Sequence, residues 1–150
     1  MVSCRDKALD LVGRRPHFRQ ELLQKLTDRG YPLADIEAVL DDLTRLGLLD
    51  DPRHAREMVS GSMTRKGFGP RRMRHELRRR GVDDSIADTA VSEVFDDPDE
   101  ELRRARVFTE GKTIAGQTAR DRLARQLDRK GYSAAVIIRV LGEIGFDQSG

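Results

Sequence analysis

The chain has 150 residues, 37% of them apolar and 36% charged, with a formal net charge of +2. That length fits one ordinary domain, but so few apolar residues exclude one large central core. A lone cysteine, Cys4, excludes an intramolecular disulfide, and no apolar run approaches the ~18–20 residues of a membrane span.

Apolar residues recur at helical spacing nearly throughout, and nothing reads as a strand. Ala8, Leu9, Leu11 and Val12 predict a helix over 4–14. Phe18, Leu22, Leu23 and Leu26 predict a second over 18–29, and Ile36, Val39, Leu40, Leu43 and Leu46 a third over 33–46. Asp50-Asp51-Pro52 then opens a helix over 52–65, with an acidic cap and a proline in the first turn. The segment Arg65-Lys-Gly-Phe-Gly-Pro70 reads as a loop whose glycines form a hinge, followed by helices over 70–80 and 83–95. Asp96-Asp97-Pro98 repeats the opening device and predicts helices over 98–110, 117–130 and 133–144, with a loose stretch at 110–116.

One phrase occurs three times: Leu26-Thr-Asp-Arg-Gly30, Leu77-Arg-Arg-Arg-Gly81 and Leu127-Asp-Arg-Lys-Gly131. The copies lie about 50 residues apart, the spacing of stacked supersecondary units. Leu22, Met73 and Leu123 precede each copy by one helical turn, and Ile36/Leu40, Ile86/Ala90 and Ile137/Leu141 follow it. The expected fold is all-α, an elongated array of three tandem three-helix repeats resembling a helix-turn-helix solenoid. Its expected domains are 1–49, 50–95 and 96–150. A unit of that size buries too little surface alone, so neighbours must cover one another. Each phrase-ending glycine falls just past a helix end, where a left-handed backbone is required.

Motifs for chemistry fail on their spacing. Gly111-Lys112-Thr113 resembles the end of a phosphate-binding loop, but Arg106 stands where the first glycine belongs. Gly67-Phe-Gly69 is half of a dinucleotide fingerprint, but Arg72 replaces the third glycine and no strand precedes it. His17, His54 and His75 lack ligand spacing, with each other or with Cys4, and read as solvated or capping residues. The expectation is a protein that is not an enzyme and holds no cofactor or metal. No apolar h-region follows Arg5, Asp6 and Lys7, which makes the cytoplasm the expected compartment.

Charge is distributed in blocks. From Arg65 to Arg80 nearly every charge is positive, and from Asp83 to Glu101 every charge is negative. A DNA recognition helix after the turn would need donors, whereas these carry Asp35, Glu37, Asp41 and Asp42, or Asp83, Asp84, Asp88 and Glu93. Sequence-specific major-groove reading by these helices is therefore disfavoured. The helix before the turn is different: it carries Arg71, Arg72, Arg74, His75, Arg78, Arg79 and Arg80, of which Arg71, Arg74, His75 and Arg78 form a stripe beside its buried Met73 and Leu77. Arg120, Arg122, Arg125, Arg129 and Lys130 echo it in the third unit. A solvated face balanced by the acidic neighbour is the plain reading of such a stripe. The functional reading is a surface for an acidic protein groove or a phosphate backbone, because guanidinium groups bind both bidentately. Without an exposed aromatic ladder, single-strand binding by base stacking gains little support.

The residues Leu49-Asp50-Asp51 with Ala55, Arg65-Lys-Gly-Phe-Gly-Pro70, Glu76-Leu77 and Gly81-Val82 resemble the signature of RecX regulatory proteins. Glu21-Leu22, Lys25-Leu26, Gly30-Tyr31 and Arg122-Leu123 through Gly131-Tyr132-Ser133 extend the resemblance over essentially the whole chain. It implies three tandem three-helix repeats, curved and extended, that bind along the RecA filament on single-stranded DNA; a monomer is the expected free state. It also implies inhibition of RecA's ATPase, recombinase and co-protease activities, with no catalytic residues to carry over. Placing Arg71, Arg72, Arg74, Arg78, Arg79, Arg122, Arg125 and Arg129 at that interface is an inference from charge, in which Arg71, Arg74 and Arg78 rank first. The rival expectation is a helical protein, not sequence-specific, that acts by coating DNA.

Overall fold

The computed structural model describes residues 2–145. Among these residues the chain is all-α, with nine α-helices and no strand beyond a single-residue bridge at Ile114. They are α1 (Cys4–Arg14), α2 (Arg19–Asp28), α3 (Leu33–Arg45), α4 (Asp51–Met58), α5 (Pro70–Arg79), α6 (Asp84–Val94), α7 (Glu100–Thr109), α8 (Gly116–Lys130) and α9 (Ala134–Glu143). Local chemistry explains several helix starts. Ser3 Oγ accepts the Asp6 N–H, an Asp50 carboxylate oxygen accepts that of Arg53, and Ser133 Oγ accepts that of Val136. Pro52 and Pro70 occupy first turns, where a missing N–H costs nothing.

The apolar stripes collect into three cores. Ala8, Leu22, Leu26, Ile36, Leu40 and Leu43 are fully buried in the first. Ala55, Val59, Met73, Leu77, Ala87 and Val91 are fully buried in the second. Ala105, Leu127, Tyr132, Val140 and Ile114 make the heart of the third. Small separate cores of this kind are what a chain with little apolar content can build.

Two junctions join these layers by one device: the start of a middle helix lies on the end of the next middle helix. At the first, the N-cap residue of α2, Phe18, is fully buried in the second core, with its ring centroid 4.2 Å from that of His54. The Arg19 N–H donates to Asp51 Oδ1 at 2.9 Å, and Gln20 covers Gly81. At the second, the N-cap residue of α5 is Gly69, and backbone meets backbone. The Gly69 N–H donates to the Lys130 carbonyl at 2.6 Å, and the Arg71 N–H to that of Gly131 at 3.1 Å. A Cβ on Gly69 would lie 2.7 Å from the Gly131 carbonyl carbon, closer than real Cβ atoms approach.

Four sequence expectations change. Phe18 leaves the first unit's stripe for the second core. The segment 65–70 is clamped rather than hinged: Tyr132 Oη donates to the Gly67 carbonyl at 2.9 Å, and Lys130 Nζ to that of Lys66 at 2.8 Å. The helix expected over 52–65 contains a π-helical segment, Val59–Met63, after α4. Its wider turn rotates less per residue, which brings Met63 back to the buried face shared by Ala55 and Val59. Asp96-Asp97-Pro98 opens a turn before α7 instead of a helix, because Asp97 Oδ1 accepts the Asp99 N–H and α7 begins only at Glu100.

The histidines also differ from the solvated or capping reading. His17 is 3% exposed, held between the Arg15 carbonyl and Lys25 Nζ, each at 2.9 Å. Burial lowers the pKa of both His17 and His54, and His54 Nε2 has no partner among the described residues. Only His75 is exposed.

Candidate partner-binding surface

The basic helices α5 and α8 meet end to end at the second junction, and the fold sorts their arginines into three kinds. Arg71 and Arg72 serve the junction itself. Arg71 Nη2 donates to Asp128 Oδ1 at 2.8 Å and to the Tyr132 carbonyl at 2.7 Å. Arg72 Nη1 donates to the Arg129 carbonyl at 3.0 Å, while its guanidinium lies 4.7 Å from the Phe68 ring centroid. Arg72 therefore satisfies the Arg129 carbonyl in the last turn of α8, and Arg71 the Tyr132 carbonyl just beyond it.

Arg74, Arg78 and Arg79 are the second kind. Asp88 Oδ1 lies 3.3 Å from Arg74 Nε, and Asp84 Oδ1 lies 2.8 Å from Arg78 Nε, so the acidic face of α6 neutralises this part of the stripe. Arg79 joins Arg72 on Glu76 at 2.8 and 3.0 Å. Burial works to raise the Glu76 pKa, but hydrogen bonds from Arg72 and Arg79 outweigh it and hold the carboxyl below its usual value.

The third kind is free. Arg122, Arg125 and Arg129 are exposed on one face of α8, spaced by three and four residues, and have no acidic partner among the described residues. Arg120 differs, since its Nη1 donates to the Leu141 carbonyl at 3.1 Å and so finishes α9. The structure thus brings Arg71, Arg72 and the α8 C-terminus together, ties Arg74 and Arg78 to α6, and leaves the α8 row open.

Sequence reasoning passed over Arg104, whose Nη1 reaches across to Thr64 Oγ1 at 2.9 Å beside the clamped 65–70 segment. Forty positions separate the two residues, so no local spacing signalled the contact. Among the described residues no group of His, Cys, Asp or Glu could hold a metal ion, and no helix is long and apolar enough to cross a membrane.

Comparison with known proteins agrees with this architecture. The family description "RecX, first three-helix domain" matches residues 4–43, and "RecX, second three-helix domain" matches 50–91. A protein of Pseudomonas fluorescens named Regulatory protein RecX is 42% identical over 149 residues, covering 98% of this chain and 95% of its own. A protein of the same name from Halorhodospira halophila is 42% identical over 137 residues, 88% of this chain and 82% of its own. The crystal structure of RecX from Lactobacillus salivarius superposes with a TM-score of 0.79, at 20% identity and 94% coverage of both chains. That last likeness speaks to the fold, which it extends across the third core. With two matched domains and close relatives along nearly all of its length, the chain belongs to the RecX family.

Proposed function

We propose that this chain is a non-enzymatic regulator that binds the RecA filament on single-stranded DNA and chiefly inhibits its ATPase, recombinase and co-protease activities. The observation that carries the reading is the 42% identity to a RecX regulatory protein over 98% of the chain. A row of small cores supports it mechanically, because an array of stacked units presents an extended surface to successive subunits of a polymer. We take the repeats to divide near residues 49/50 and 95/96, and the free chain to act as a monomer in the cytoplasm.

The ranking of the arginines reverses. Arg122, Arg125 and Arg129 become the first choice for partner contact, since binding need not break an existing ion pair. Arg74 and Arg78 become second, because a partner must compete with Asp84 and Asp88. Arg71, Arg72 and Arg79 are chiefly structural.

The test is ATP hydrolysis by cognate RecA on single-stranded DNA, with this protein added well below one chain per RecA. Inhibition at that ratio, weakened at least tenfold by R122E/R125E/R129E and less by R74E/R78E, is the expected result. The same α8 row also fits a DNA-coating protein, whose binding to naked DNA would fall steeply with rising salt, by about one log-log slope unit per phosphate neutralised. Inhibition that appears only when the DNA is saturated would replace the filament reading with that one.

A further inference from the structure

The second junction borders an open groove of about 540 Å³, to which the two basic helices contribute only Lys130. Arg65, Lys66, Arg104 and Lys130 line it, together with Phe68, Val107 and Phe108, and no Asp or Glu does. Among the described residues Arg65, Lys66 and Lys130 have no carboxylate partner, whereas Arg104 is paired with Glu100 at 3.0 Å. The rim carries Val107, at 71% the most exposed of the large apolar residues among those described. Uncompensated cations around an apolar lining describe a complement that is both anionic and apolar.

From this geometry we propose that the groove takes an acidic peptide segment of a partner protein, with an apolar side chain inserted among Phe68, Val107 and Phe108. Charge complementarity selects the carboxylates, and the exposed Val107 selects the apolar residue. The aromatic rings argue against nucleic acid. Arg72, Lys66 and Lys130 already approach the Phe68 ring at 4.7, 5.9 and 5.8 Å from its centroid, and Lys112 lies 4.8 Å from that of Phe108. Tyr132 is 1% exposed with its hydroxyl committed to Gly67. Two half-buried phenylalanines already approached by cations make no ladder on which successive bases stack. A phosphate backbone would also leave Val107 unused. The two sides of the groove come from α7 and from the segment clamped at Lys66 and Gly67, so the site exists only while the second and third layers are docked.

The proposal goes beyond the RecA reading, and its test contains no RecA. A fluorescein-labelled Glu/Asp-rich peptide with a central phenylalanine is titrated with the full chain, and anisotropy is read. Saturable binding is expected, weakened at least about tenfold by R65E/K66E and also by V107D, and weakened when serine replaces the peptide's phenylalanine. Arg65 and Lys66 are exposed and Val107 is on the rim, so circular dichroism of these variants should match the parent. No peptide binding, or binding that these variants leave unchanged, overturns the proposal. Displacement by oligothymidylate at lower concentration than by unlabelled peptide also overturns it, in favour of a nucleic-acid groove.

Discussion

Alanine at Gly30, Gly81 and Gly131 separates the cost of a left-handed turn from the cost of a broken junction. All three glycines have positive φ, at +86°, +82° and +97°, so each alanine carries the same backbone penalty of about 1 kcal/mol. Their surroundings differ. A Cβ on Gly30 meets nothing within 4 Å, so G30A is expected to cost only that penalty. On Gly81 it would lie 2.5 Å from Gln20 Cγ, which can rotate aside, and 2.7 Å from Gln20 Cβ, which yields only with a small shift of the first turn of α2, so G81A is expected to cost more than G30A. On Gly131 it would lie 2.8 Å from Arg72 Cα, which is backbone held in a helix and cannot move alone. Relief there requires the junction to open. Overpacking of about 1–3 kcal/mol then adds to the turn penalty, giving roughly 2–4 kcal/mol for G131A. Urea titration followed by far-UV circular dichroism gives the order G30A, then G81A, then G131A. Amide exchange localises the effect: the Gly69 and Arg71 N–H groups, which donate across the junction, should lose protection in G131A and keep it in G30A. A cost for G131A within about 0.5 kcal/mol of that for G30A would refute the account of the junction.

Phe18→Ala should destabilise by about 3–5 kcal/mol, and NMR perturbations should appear at Ala55 and Val59 in the second core as well as around α2. Stability should also depend on pH near neutrality. Burial lowers the pKa of His17 and His54, so below the ordinary value of about 6.5 the unfolded chain binds more protons than the folded one. Stability is therefore full above that value and falls as pH drops toward the lowered folded pKa; urea midpoints measured across this window should show the slope, and H17Q/H54Q should flatten it. R74E should place a carboxylate beside Asp88 and lower stability by about 1 kcal/mol or less, measured by thermal denaturation, while R125E should leave it unchanged.

Sequence alone determined the helices, because apolar periodicity, caps and glycine stops are local signals written within one or two turns. Asp50 and Pro52 mark a helix start that the structure keeps, and Gly30, Gly81 and Gly131 mark ends with left-handed backbone. The thrice-repeated phrase and the flanking motifs were enough to indicate the family. Sequence alone could not rank the arginines, because charge type is local and charge pairing is not. Arg71 meets Asp128 at a separation of 57 residues, and Arg74 meets Asp88 only through the packing of α5 on α6. The same limit explains Phe18, whose spacing assigns it to the α2 stripe although its N-cap position carries the ring into the next core. It also explains Gly69, where the reason for glycine is a neighbour 62 residues away, not the turn it sits in. Helical order in this chain arises from contacts a few residues apart. The surface it offers a partner was decided by tertiary structure, because docking three small cores consumes some cations, satisfies others with α6, and leaves the α8 row and the junction groove open.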